Sequence, residues 1–344
     1  AAMATRVVNT GAFYAYVGEA FGYRMGAAAG YIATAGYNVL SGFGFGVAGF
    51  FVTEVLAARV GIDLPWWVGS MVLLAIAFVL AYGGAELSTR VTGTLLVLEC
   101  AFLLAVDVGV LASQGLSAFS LQVFDPGNVF ADGFGIAVAL VFLSFIGFEA
   151  TAIFSEEAKD PRRTVGRATR IALGIIGTLY VLSSWALISN FGLAKASEIA
   201  AGPDSSSMFM NAVGDSLGTV GDTAFSVLIV TSFVALTNTV HVTGARYVYA
   251  MSRARLLPPA LATVDDKTRA PVRAQVAQAL FVLSIVVIWA ILGLDPFLEL
   301  GVLGTLGSVS IITLQTFAAF AILAFFRRQR DPRIWQTAVA PAVA

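Results

Sequence analysis

Eight stretches of this 344-residue chain are apolar for long enough to cross a bilayer, and no other feature narrows its fold so far. They cover residues 26–52, 66–82, 94–112, 134–154, 171–191, 223–244, 274–294 and 297–326. An α-helix rises about 1.5 Å per residue, so runs of roughly 17 to 30 residues match or exceed a hydrocarbon core about 30 Å thick. Inside that core every backbone amide and carbonyl must be satisfied within the protein, which leaves helices and closed barrels. The runs are unbroken rather than alternating with period two, so a barrel is excluded. Composition agrees: 58% hydrophobic residues, 12% charged and a mean hydropathy of +0.86 lie well outside soluble norms. The expected class is an all-α, polytopic transmembrane helix bundle.

Charge gives the runs a direction. Of the 20 Lys and Arg residues, all but Arg59 and Lys195 fall at the start of the chain or in the gaps after the second, fourth, sixth and eighth crossings. Those gaps hold Arg90, the cluster from Lys159 to Arg170, the group from Arg246 to Arg273, and Arg327, Arg328, Arg330 and Arg333. The positive-inside rule makes them cytoplasmic. The other gaps carry acids such as Asp63, Asp125, Asp132, Glu198, Asp204 and Asp295. Net charge is -1, which identifies no partner because the charge is sorted by side rather than summed. Nothing in the chain suggests a nucleic-acid partner.

Enzyme chemistry finds little to build on. The lone Cys100 sits in an apolar run, so neither a disulfide framework nor a CxxC site can form. A single histidine, His241, removes the H-E-x-x-H zinc pattern, and no G-x-S-x-G elbow is present. The expectation is no enzyme, no metal and no cofactor. No linker, low-complexity tract or soluble domain interrupts residues 1–344, which read as a single transmembrane domain. The longest polar gap, residues 192–222, reads as an outside loop with room for short helices. The chain opens without an initiator Met, and residues 334–344 turn apolar again after a basic loop, as though another crossing had begun. The expectation is a piece of a longer protein; a cleaved signal peptide would instead put the basic N-terminal stretch outside.

The most specific stretch is residues 142–168. It carries Phe145, Gly147, Phe148 and Glu149, then Glu156, Glu157, Pro161 and Arg163. This resembles the sixth-helix signature of the amino acid-polyamine-organocation permeases, an F-x-G-F/V-E/D core followed by E-E-x-x-x-P-x-R. Residues 245–253 with Leu256, Leu257 and Pro258 are similar to that family's eighth-helix ending, and residues 9–17 with Phe21 and Gly22 to its loop after helix two. The resemblance covers essentially the whole chain, as helices three to ten with stubs of two and eleven. It implies a five-plus-five inverted-repeat fold in which helices one and six break at the midplane. Helix one, whose Gly-rich break binds the substrate carboxylate in that family, is not in this sequence.

From the residues themselves, Glu149 is the group that demands explanation. A carboxylate at membrane depth costs about 2.5–3.5 kcal/mol on insertion scales, and the neighbouring Gly147 permits backbone that a regular helix would not. Two readings stand: Glu149 lines a cavity, or it reaches the cytoplasmic end and pairs with Arg162 or Arg163. The resemblance implies that Ser144, Phe145, Ile146, Gly147 and Phe148 form the helix break, with backbone groups for a substrate carboxylate and Phe145 or Phe148 as an aromatic gate. Tyr37, Ser41 and Phe45 recur at four-residue spacing and share one helix face, which in the family borders the cavity. The glycines beside them read as close helix packing. Glu99 and Asp107, eight residues apart, share another face. They are either part of a proton path or satisfied by Ser or Thr on a neighbour and by the outer interface. His241 likewise has two readings, a proton-coupling group or a hydrogen-bonded histidine in a polar interior.

The resemblance thus implies a secondary active permease of the plasma membrane. It would move amino acids by alternating access, driven by protons or by exchange. A polyamine permease, for which Glu149 and Glu99 would supply acids, is the alternative within transport, and an ion channel the alternative of another class.

Overall fold

The computed structural model describes residues 2–7, 9–148, 153, 160–202, 207–294, 296, 298–331 and 333–343. Among them every regular element is helical. The long helices are α1 (Ala12–Phe21), α2 (Tyr23–Val60), α3 (Trp66–Tyr82), α4 (Ala85–Gln114), α5 (Phe134–Phe145), α6 (Pro161–Phe191), α7 (Leu193–Ala201), α8 (Met208–Arg253), α9 (Val272–Leu292) and α10 (Leu298–Gln329). Six of them, α2, α4, α6, α8, α9 and α10, contain spans long and apolar enough to cross a membrane. Helix α3 is apolar but has 17 residues. The molecule is the helical transmembrane bundle that the apolar runs imply.

Helix ends follow local chemistry. Gly22 (φ 91°) precedes α2, and Gly61 (φ 74°) closes it in the left-handed conformation, its N–H reaching back to the Ala57 and Leu56 carbonyls. Pro161 opens α6, where a missing N–H costs nothing, so the basic residues Arg163, Arg167 and Arg170 lie on the first turns of a helix rather than in a loop. The polar stretch from Asn211 to Asp222 is helical too. It belongs to α8, which bends at Gly218 (φ 61°, ψ −155°).

Contacts divide the chain into two compact units. The first comprises Ala1–Thr92, Ile146–Ile171 and Phe233–Ala344. Small residues set its packing around α2. A Cβ on Gly49 would fall 2.6 Å from the Ser70 nitrogen of α3, and one on Gly69 would fall 2.7 Å from the Gly49 carbonyl oxygen. The backbones of α2 and α3 therefore touch, and the Ser70 hydroxyl donates across to the Phe45 carbonyl at 2.8 Å. The same holds at α10, where a Cβ on Gly307 would meet the Leu40 nitrogen at 3.0 Å. Phe45 of α2, Leu73 and Leu74 of α3, and Val282 and Val286 of α9 form one apolar cluster, and Tyr14, Tyr37, Tyr247, Met251, Ile311 and Leu314 belong to a second.

The second unit comprises Gly93–Phe145 and Ala172–Ser232. Its core is smaller: Val106, Val110, Ala186 and Val213, with Phe102, Phe209 and Phe225 packed against them. Phe102 and Phe225 stack with ring centroids 6.1 Å apart. The Trp185 indole N–H donates to the Ser120 carbonyl, and the edges of Phe119 and Phe124 meet its ring.

Candidate functional site

The apolar run from Phe134 does not stay helical. Helix α5 ends at Phe145 after 12 residues, about 18 Å of rise, which falls short of a bilayer core of about 30 Å. Ile146, Gly147 and Phe148 follow as a turn, with Gly147 at φ 110°, a conformation glycine adopts and L side chains avoid. A helix that stops leaves its last carbonyls without intrahelical donors. One of these is satisfied within the second unit: the Tyr180 hydroxyl on α6 donates to the Ser144 carbonyl at 3.0 Å. The Phe145 ring meets the Tyr180 ring edge-on at 5.4 Å, close to Gly177. On the other side of the turn, within the first unit, Ile146 packs against the tyrosine cluster and the Phe148 ring lies 6.2 Å from Phe13. Glu149 lies outside the described residues.

Tyr37, Ser41 and Phe45 do share one face of α2, and all three are buried in the first unit. Tyr37 stacks on Tyr247 of α8 with centroids 4.9 Å apart, and Tyr14 approaches the same ring. The Ser41 hydroxyl donates to the Tyr37 carbonyl at 2.7 Å, the local back-bond open to a serine in a helix, and lies 3.3 Å from the Val240 carbonyl of α8. Tyr247 sits inside the 245–253 motif, which is the sequence signal that points to it.

His241 is fully buried with the Phe78 ring of α3 beside it, centroids 6.2 Å apart. Neither ring nitrogen has a hydrogen-bond partner among the described residues. It belongs to a polar row. One turn earlier, the Asn238 amide donates to the Ser88 and Thr92 hydroxyls of α4 at 2.8 and 2.9 Å. One turn later, Gly244 lies against the Gln278 side chain of α9, whose amide is fully buried and likewise without a partner among the described residues. Gln275, a turn before Gln278, donates to the Ala81 carbonyl at 3.0 Å. Asn238 with His241, and Gln275 with Gln278, repeat at i, i+3 inside apolar runs. That spacing was available in the sequence as a sign of a polar face.

The two acids of α4 go to different neighbours within the second unit. Glu99 is half-buried beside the Ser232 hydroxyl of α8. Asp107 accepts a hydrogen bond from the Ser183 hydroxyl of α6 at 2.9 Å. Serines on neighbouring helices thus meet both carboxylates.

Apolar helices, one of them interrupted at a glycine turn and several carrying buried polar groups, define a polytopic membrane protein. The family model described as "Amino acid permease" matches residues 1–330, and the chain belongs to that family. It is a multi-pass protein of the plasma membrane. An uncharacterized transporter of Mycobacterium tuberculosis (strain ATCC 25618 / H37Rv) is 30% identical over 272 residues, 78% of this chain and 60% of that protein. The branched-chain amino acid permease BcaP of Lactococcus lactis subsp. cremoris (strain MG1363) is 27% identical over 287 residues, again 78% and 60%. The L-methionine/branched-chain amino acid exporter YjeH of Escherichia coli (strain K12) is 28% identical over 174 residues, 48% of this chain and 38% of that protein. The chain spans about 60% of the length of the first two relatives.

Proposed function

We propose that residues 1–344 are one domain of a secondary active transporter that moves amino acids across the plasma membrane by alternating access, not of an enzyme. The observation that carries this reading is the helix ending at Phe145 and turning at Gly147 inside an apolar run, in a chain of the permease family. Interrupted helices are how secondary transporters bring backbone dipoles to a solute at membrane depth. In this reading Ser144, Phe145, Ile146, Gly147 and Phe148 form the substrate-binding turn. Tyr37 acts through the aromatic face it shares with Tyr247, and Ser41 through the backbone it fixes. Protons or exchange drive the cycle, and Glu149, Glu99 and His241 are the groups assigned to proton coupling.

The names of two relatives favour branched-chain or other apolar amino acids over polyamines. The test is uptake by proteoliposomes holding the full-length protein, offered labelled leucine, methionine and putrescine under an imposed pH gradient. Saturable leucine uptake that collapses with an uncoupler is expected, and Glu149→Gln should reduce it and flatten its pH dependence. Uptake of putrescine alone would move the assignment to polyamines. Non-saturating flux without counterflow would replace the transporter reading with a channel.

A further inference from the structure

Where α10 leaves the apolar phase, the first unit carries a groove of about 1000 Å³ between the end of α1, the last turns of α10 and the helical turns after Ile334. We infer that this groove binds the headgroup and upper acyl chains of an anionic phospholipid from the cytoplasmic leaflet.

Three features select that occupant. Along α10 the lining changes character: Phe320 and Leu323 precede Arg327 by seven and four residues, so their Cα atoms lie about 6–10 Å deeper than that of Arg327. Phe320, Phe21 and Ile334 are substantially exposed, which suits acyl chains and not water. The charge is uncompensated. Asp331, the one acid in the lining, is taken up by Arg333 through bonds of 2.9 and 2.7 Å and by Arg6 at 3.7 Å. Arg328 donates to the Ala20 carbonyl, fixing α10 to α1 at the groove's edge. Arg327 and Arg330 also line the groove, and their guanidinium groups have no ion-pair or hydrogen-bond partner among the described residues. Basic pockets between membrane helices on the cytoplasmic side are suited to anionic headgroups, and the positive-inside pattern puts this end on that side. The depth offset separates a lipid from a free phosphate, which would need the arginines alone. The inference is independent of what the protein transports.

Native mass spectrometry of the full-length protein, delipidated and titrated with phosphatidylglycerol or phosphatidylcholine, tests it. Phosphatidylglycerol should bind in preference to phosphatidylcholine. The double substitution Arg327→Gln/Arg330→Gln should weaken that binding about ten-fold or more. Arg90→Gln, at a cytoplasmic arginine outside the groove that pairs with Glu86, should leave it unchanged. Soluble glycerol phosphate should not displace the lipid. Equal binding of the two lipids, as expected if further protein fills the groove, would overturn the inference. So would an equal loss in Arg90→Gln, or displacement by glycerol phosphate.

Discussion

Helices α2 and α4 are both long and apolar, yet 44% of the most apolar stretch of α2 is buried and only 11% of that of α4. The α2 stretch is the less apolar, with mean hydropathy 1.7 against 2.4, and it is also the richer in small residues. Helix α2 carries Gly26, Gly30, Gly36, Gly42 and Gly49, which let α1, α3, α8, α9 and α10 approach its backbone. Helix α4 carries Leu96, Val97 and Leu98, more than half exposed, where lipid tails serve as well as any protein partner. Apolarity therefore marks a span, and small residues mark where helix backbones pack closely.

The same substitution should have opposite signs in the two helices. Gly49→Ala forces a methyl against the Ser70 backbone and should cost about 1–3 kcal/mol, read as a lower unfolding temperature of the detergent-solubilised protein. Gly93→Ala in α4 meets nothing within 4 Å and should stabilise by about 0.5–1 kcal/mol through helix propensity. Equal shifts at the two sites would break the comparison.

Polar contacts sharpen it further. Tyr180→Phe removes the donor to the Ser144 carbonyl and should cost about 1–3 kcal/mol, seen as faster hydrogen exchange at residues 144–148. Asn238→Ala removes two interhelical bonds in the first unit and should cost less, about 0.6–1.7 kcal/mol by chemical denaturation, because the unfolded chain in a membrane also finds partners.

The smallest effect concerns pH. Hydrogen bonds from the Arg333 side chain, then from its backbone, hold Asp331 well below the usual carboxylate range. A lowered folded value means that the stabilisation is fully present above the unfolded value of about 4 and fades as pH falls through the folded one. The unfolding temperatures of wild type and Asp331→Asn should therefore differ equally at pH 7 and pH 5, and converge only in stronger acid. Convergence by pH 5 would show that the clamp is not formed.

Much of this was legible in the chain. Six of the eight apolar runs are helices long and apolar enough to cross a membrane, while the run from Trp66 gives a 17-residue helix and the run from Phe134 ends as a helix at Phe145. The break at residues 144–148 was legible through the family resemblance, with Gly147 permitting the backbone it needs. Two things were not legible. The ends of α6 and α8 ran past the apolar runs, because Arg163–Arg170 and Asn211–Asp222 are polar yet still helical at an interface where water accepts their side chains. The partners of Glu99, Asp107, Asn238 and Gln275 depend on which helices are neighbours, and hydropathy is silent on that.

The touching backbones at Gly36, Gly307 and Gly49 carry one more consequence. Exchanging any of these glycines for leucine would make the segment more favourable to transfer from water into the bilayer, while blocking the approach of the helix that should dock there. Insertion and assembly would thus be uncoupled at a single position. Such a variant would pass every membrane-integration check, with correct topology and normal abundance in the bilayer, and fail only at the later step in which inserted helices find each other.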